Sequence, residues 1–177
     1  MKLIILDRDG VINRDSDAYI KTPDEWVPLP GSLEAIARLS RSGYRIVVAT
    51  NQSGVARGLF DLSMLAAIHA KMLHAVTAAG GRIDAIFFCP HGPDDGCACR
   101  KPRPGLFLEV LERFRAAPGE VHAIGDQLRD LQAAHAAGCR PVLVLTGKGG
   151  ATMANGGLPP DTVVRVDLAA VAAELAP

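Results

Sequence analysis

The sequence predicts an α/β fold: a Rossmann-like, doubly wound parallel sheet with helices on both faces. Short apolar runs rich in Ile and Val recur along the chain, and amphipathic segments that often end in glycine separate them. That alternation builds strand–helix–strand units with right-handed crossovers. In addition, charged and hydroxyl-bearing residues collect just after four of the apolar runs, where ligands of open parallel sheets bind.

The first strand is expected at Leu3–Leu6, an apolar tetrapeptide broken by Asp7. Helical apolar spacing then runs from Ser32 to Ser42 and stops at Gly43. Arg45–Ala49 reads as the second strand, and Leu62–Ala79 as a long helix stopped by Gly80-Gly81. Ile83–Phe88 is the third strand, followed by a helix over Gly105–Ala117. Strands at Val121–Ile124 and Val142–Leu145 flank a helix at Leu128–Ala137, and a weaker strand at Thr162–Val166 precedes a last helix at Leu168–Leu175. The glycine-rich stretch Thr146–Gly157, TGKGGATMANGG, lacks the lysine–hydroxyl arrangement of a P-loop. It reads as a mobile surface loop without a catalytic role.

With 177 residues, 49% of them hydrophobic, one domain over residues 1–177 can bury a full core. Acidic and basic residues balance at 19 each, so no nucleic acid and no anionic membrane is expected as partner. A small-molecule substrate fits better. The amino terminus lacks a signal-peptide apolar region, and no stretch is long enough to span a bilayer. A cytoplasmic monomer is expected.

Asp7 and Asp9 follow the first strand, Thr50-Asn51-Gln52-Ser53-Gly54 the second, Arg100-Lys101 lies beyond the third, and Gly125-Asp126 follows the fourth. Singly, each has a bland explanation: an aspartate can start a turn, a threonine can cap a helix, a lysine can be solvated. Together, four consecutive strand ends supply groups suited to phosphate and a divalent cation, which is hard to assign to chance.

Three of the four cysteines crowd into FCPHGPDDGCACR, Phe88 to Arg100. Cys89-Pro90-His91 and Cys97-Ala98-Cys99 form a C-x-H and a C-x-C pair, a thiolate and imidazole set that suits a closed structural Zn2+ site in a loop spanning 89–99. A disulfide is the competing reading, disfavoured in a reducing compartment. Cys139 reads as a small core residue. His69 and His74 fall on the long helix, where packing or solvation is the default, and His122 and His135 show no ligand spacing.

In order along the chain, DRD, ATNQSG, CRKPRPG and GDQLRD resemble the motifs of the haloacid dehalogenase-like (HAD) superfamily. The resemblance covers nearly the whole chain. It implies a central first strand and a phosphatase in which Asp7 is the nucleophile, forming an aspartyl-phosphate, and Asp9 the general acid and base. Thr50 and Lys101 would hold phosphoryl oxygens, and Asn51, Gln52, Ser53 and Arg100 would contact substrate. Mg2+ would be held by Asp7, Asp126 and the backbone carbonyl of Asp9, offsetting the roughly four negative charges that the reaction gathers. Asp130 is divided evenly between a partner for Lys101 or the metal waters and a solvated helix residue.

The zinc loop, taken with LDRDGVIN and TNQSGVARG, resembles the heptose bisphosphate phosphatase family. That family makes nucleotide-activated heptose for bacterial surface polysaccharide, removing the phosphate at carbon 7. Histidinol-phosphate phosphatases are similar in the same motifs, and a broader sugar-phosphate phosphatase is the further alternative. Gln127 stands where the family commonly has lysine. No large cap domain is expected, so loops near Asp17–Lys21, Asn51–Ser53 and the zinc loop would set specificity. An inactive zinc-bearing interaction module, the alternative from another class, is disfavoured by the complete set of Asp7, Asp9, Lys101 and Asp126.

Overall fold

The computed structural model describes residues 1–177. Strand β1 spans Leu3–Leu6, β2 Arg45–Asn51, β3 Ala85–Cys89, β4 His122–Gly125, β5 Arg140–Val144 and β6 Val163–Arg165. They form one sheet in the order β3-β2-β1-β4-β5-β6, every neighbouring pair parallel. The order reverses at β1, so chain ends diverge there and leave a crevice beyond its carboxyl end.

Helices α1 (Ser32–Arg41), α2 (Leu62–Ala78) and α6 (Leu168–Leu175) cover one face; α3 (Gly105–Phe114) and α4 (Leu128–Ala136) cover the other. Successive strand side chains point to opposite faces. Accordingly Ile4 and Leu6 join the core under α1, α2 and α6, whereas Leu3 and Ile5 join the core under α3 and α4. All four are buried, which is why β1 reads as an unbroken apolar run rather than an alternation. Each such side chain contributes about 1.5–3 kcal/mol of burial. Side-chain caps start two helices: Asp61 accepts from the Met64 amide at 2.7 Å ahead of α2, and Asp167 from the Ala170 amide at 2.8 Å ahead of α6.

The structure moves some expected boundaries. β2 extends past Ala49 to Asn51 because Thr50 and Asn51 stay in register with Phe88 and Cys89 of β3, so both polar residues are strand ends rather than loop. α3 stops at Phe114, short of Ala117: Arg115 turns left-handed at φ 50° and Pro118 follows three residues on. The larger correction concerns Thr146–Gly157. Gly149–Asn155 is a helix, α5, and the Thr152 hydroxyl donates to the backbone carbonyl of Asp126 at 2.8 Å. This segment is packed onto the carboxyl end of β4, not a free surface loop. No helix is long and apolar enough to cross a membrane.

Candidate active site

The four strand-end groups meet. Asp7 continues β1, its amide donating to the Ile124 carbonyl of β4 at 2.9 Å, so the carboxylate stands at the sheet's switch point. Lys101 reaches it from beyond β3: Nζ lies 3.0 Å from Asp7 Oδ1, 2.7 Å from Asp130 Oδ1 and 2.9 Å from the Ala49 carbonyl. Those three acceptors match the three protons of an ammonium, and the side chain is only 1% exposed. Asp130 is thereby resolved as a buried partner of Lys101; its other oxygen accepts from the Gln127 amide at the start of α4.

Asp7, Asp126 and Asp130 bring carboxylate oxygens within 4.8 Å of one another. Burial pushes Asp7 up to about 6, with Lys101 pulling it down and Asp130 and Asp9 adding to the rise. Asp126 goes up to about 8, chiefly through burial and then through Asp130 and Asp7. One lysine does not balance three carboxylates. Asp126 Oδ2 accepts from the Lys148 amide at 2.8 Å, but Oδ1 is buried without any protein partner. A buried orphan oxygen among hard carboxylate donors is the arrangement that takes Mg2+. Two neighbouring glycines crowd the same oxygen of Asp126: an added Cβ would lie 2.1 Å from Oδ2 at Gly10 and 2.3 Å at Gly147, and both have positive φ. Lys148 and Gly147 thus give the glycine-rich segment a place in the site that its sequence did not suggest.

Asp9 faces the same crevice from the other side. Its carboxylate accepts from Arg8, from Asn13 Nδ2 at 2.9 Å and from Gln52 Nε2 at 3.0 Å. Gln52 also donates to Thr50 Oγ1 at 3.0 Å, which leaves the Thr50 hydroxyl proton available to an oxyanion in the crevice. Asn51 binds the backbone of Lys101 in both directions, each bond 3.1 Å, so it aligns the lysine as well as lining the crevice.

The crevice holds about 290 Å³, with Asp7, Asp9 and Thr50 at its base and Ser53 and Tyr19 on its walls. Four cations, Arg57, Arg100, Arg129 and Lys148, also line it. Arg129 Nε is buried without a partner, and Lys148 Nζ is tied to Asp17 at 2.7 Å. Arg8, Arg57, Arg129 and Lys148 were not singled out from sequence. Arg8, Arg57 and Arg129 do lie inside the motif segments DRD, TNQSGVARG and GDQLRD, the one signal that pointed to them.

The second metal set is also assembled. Cys89 Sγ lies 3.6 Å from Cys97 Sγ and 3.5 Å from His91 Nδ1, which is 3.3 Å from Cys99 Sγ. A tetrahedral Zn2+ with bonds of about 2.3 Å to sulfur and about 2.0–2.1 Å to nitrogen sets ligand atoms roughly 3.5–3.8 Å apart. Soft thiolates and an imidazole at this spacing fit structural zinc. Cys139 is buried elsewhere, in the core under α3 and α4.

Comparison with known proteins agrees with this geometry. A family model described as HAD-hydrolase-like matches residues 98–170. The D-glycero-beta-D-manno-heptose-1,7-bisphosphate 7-phosphatase of Bordetella bronchiseptica is 62% identical, covering 99% of this chain and 98% of its own. That of Pseudomonas aeruginosa is 54% identical over 98% of this chain and 97% of its own. Among solved structures, the Bordetella D,D-heptose 1,7-bisphosphate phosphatase, complexed with magnesium and phosphate, superposes with a TM-score of 0.98 at 62% identity, covering 99% of this chain and 98% of that one. The Burkholderia thailandensis D,D-heptose 1,7-bisphosphate phosphatase does so with a TM-score of 0.79 at 53% identity and the same coverage.

Proposed function

The chain belongs to the D-glycero-β-D-manno-heptose 1,7-bisphosphate 7-phosphatase family of HAD-like hydrolases, and from that premise we propose that it removes the 7-phosphate of this bisphosphate through an aspartyl-phosphate on Asp7. The observation that carries the reading is the pair Asp7 and Asp9 at the end of β1, in a crevice lined by four cations. Two phosphates call for cations both at the reacting centre and away from it.

Asp7 Oδ1 is held by Lys101 and by the Arg8 amide at 2.8 Å, leaving Oδ2 as the attacking atom. It bonds to phosphorus as the P–O bond to carbon 7 breaks, and Asp9 gives its proton to the departing alkoxide. Asp9, now a carboxylate, takes a proton from the water that attacks phosphorus; inorganic phosphate leaves and Asp7 is regenerated. The Thr50 hydroxyl donates to a phosphoryl oxygen, while Lys101 offsets charge from behind Asp7. Asp7, Asp126 and the backbone carbonyl of Asp9 would hold Mg2+, which supplies positive charge against the phosphoryl group. Arg100, with Arg57 and Arg129, receives the retained phosphate, and Asn51, Gln52 and Ser53 shape the wall.

Zinc at Cys89, His91, Cys97 and Cys99 braces the loop that carries Arg100 and Lys101, whose guanidinium and ammonium face substrate and Asp7. Arg100 Nη1 already donates to the His91 carbonyl at 3.2 Å. The proposal takes the enzyme to act as a cytoplasmic monomer of one domain, in a reducing compartment that keeps Cys89, Cys97 and Cys99 available as zinc ligands. Phosphate release from the heptose bisphosphate, histidinol phosphate and an aryl phosphate tests the assignment. The bisphosphate should have the highest kcat/KM and yield a product still carrying phosphate at carbon 1. A preference for histidinol phosphate would overturn the substrate.

A further inference from the structure

Residue 8 lies between the two aspartates of the DRD motif, and its side chain is wholly buried. A buried guanidinium is costly unless its donors are used. Here Nε donates to Asp9 Oδ1 at 3.0 Å, and Nη2 donates to Oδ1 at 2.9 Å and Oδ2 at 3.0 Å. The fork therefore meets both oxygens of one carboxylate and fixes its plane as well as its position. The remaining nitrogen, Nη1, lies 3.4 Å from Nε2 of His69 on α2. Burial, with the Arg8 charge beside it, pushes His69 down to about 4, so its ring is neutral and its lone pair can accept. Phe88 of β3 supports that ring, edge to face at 6.1 Å between centroids.

The main chain of the same residue serves the other aspartate, since the Arg8 amide donates to Asp7 Oδ1 at 2.8 Å. We propose that Arg8, backed by His69, is a positioning residue that sets the Asp9 carboxylate at the reacting centre in fixed register with Asp7. The inference rests on the reading of Asp9 as acid and base. Asp9 is 20% exposed on the crevice side, and Asn13 and Gln52 donate from its flanks. Proton transfer needs the carboxyl within hydrogen-bond reach of the leaving oxygen, and an error near 1 Å costs on the order of 100-fold in rate. Without the guanidinium, nothing else contacts both oxygens from behind.

A double-mutant cycle with Asp9→Asn reads this directly. Arg8→Met should lower kcat on the heptose bisphosphate about 100-fold with KM changed less than about threefold. In the Asp9→Asn background the same substitution should cost less than about threefold, because the group it positions no longer acts. Phosphoenzyme formation from an aryl phosphate, whose leaving group needs little protonation, should fall less than that from the sugar phosphate. Equal losses in both backgrounds, or equal losses on both substrates, would assign Arg8 to general stability and overturn the proposal. An Asp9→Asn enzyme with wild-type kcat would instead remove the acid–base reading on which it rests. Should circular dichroism show Arg8→Met unfolded, Arg8→Lys enters the same cycle: it keeps the charge, loses the fork, and should still show the coupling.

Discussion

Replacing Gly10 with alanine tests how closely the site is built around Asp126. Gly10 sits at φ +84°, a left-handed conformation that costs a residue with Cβ about 1–2 kcal/mol. The added methyl would lie 2.1 Å from Asp126 Oδ2 and 2.5 Å from Cγ, against the 3.4–4 Å of ordinary contact, so the carboxylate must retreat by more than 1 Å. The same oxygen accepts from the Lys148 amide at 2.8 Å and is abutted by Gly147, so moving it disturbs that hydrogen bond as well. A displacement of that size at a charged group of the site costs about 100-fold in rate. Gly43→Ala is the control, since Gly43 has the same φ of +84° with nothing within 4 Å of its added Cβ. Gly43→Ala should lose about 1–2 kcal/mol in urea unfolding, and Gly10→Ala about 1–3 kcal/mol more from the clash. Only Gly10→Ala should weaken Mg2+ binding in a calorimetric titration and lower kcat/KM by about 100-fold at saturating Mg2+. Equal Mg2+ affinity and equal kcat/KM in the two variants would refute the close-packing argument.

Lys101→Met removes the one cation between two buried carboxylates, and without Mg2+ it should destabilise the fold by about 3–5 kcal/mol, read from urea unfolding in chelator; a loss under about 1 kcal/mol would mean that the ion pairs contribute little. His69, held near 4 when folded, refuses a proton that the unfolded chain accepts below about 6.5, so stability falls as pH drops through that window. From pH 7 to pH 5 its share of the loss should be about 2 kcal/mol, absent in His69→Gln; an unchanged pH dependence in the variant contradicts it. Mild chelation and dialysis should abolish activity, restored by Mg2+, while about one zinc per chain stays bound by elemental analysis, as a closed four-ligand site retains its metal. Loss of the zinc in that treatment, or recovery of activity with zinc alone, would reject the division of roles.

What could be read along the chain was whatever local spacing encodes. β1 and α6 fall on their expected residues, because an unbroken apolar tetrapeptide and a run started by Asp167 carry their own boundaries. The two metal sets were equally legible: C-x-H and C-x-C bring ligands together within one short loop, and the strand-end rule gathers Asp7, Thr50, Lys101 and Asp126 once the sheet is parallel. Boundaries slipped where a partner strand decided them, as at Thr50 and Asn51, which are held in β2 only by the ladder to β3.

Contacts between segments far apart in sequence had no local signature. The Lys148 amide meets Asp126 across 22 residues, Arg8 meets His69 across 61, and the Thr146 hydroxyl reaches the Gly10 carbonyl across 136. A glycine-rich stretch looks mobile until its missing side chains are seen to admit Asp126, and a histidine on an apolar helix looks like packing until its lone pair faces a buried guanidinium. Asp130 was undecided between solvent and site because helix periodicity places it at the start of α4 without saying which charge lies opposite; the arrival of Lys101 from beyond β3 decides it. The sequence by itself determined the strand and helix alternation and the chemistry at each strand end, since these follow from side-chain type and short-range period. Only the tertiary structure decided which charges are buried together and which oxygen of Asp126 is left open, because burial and pairing are properties of the packed surfaces and not of any one segment.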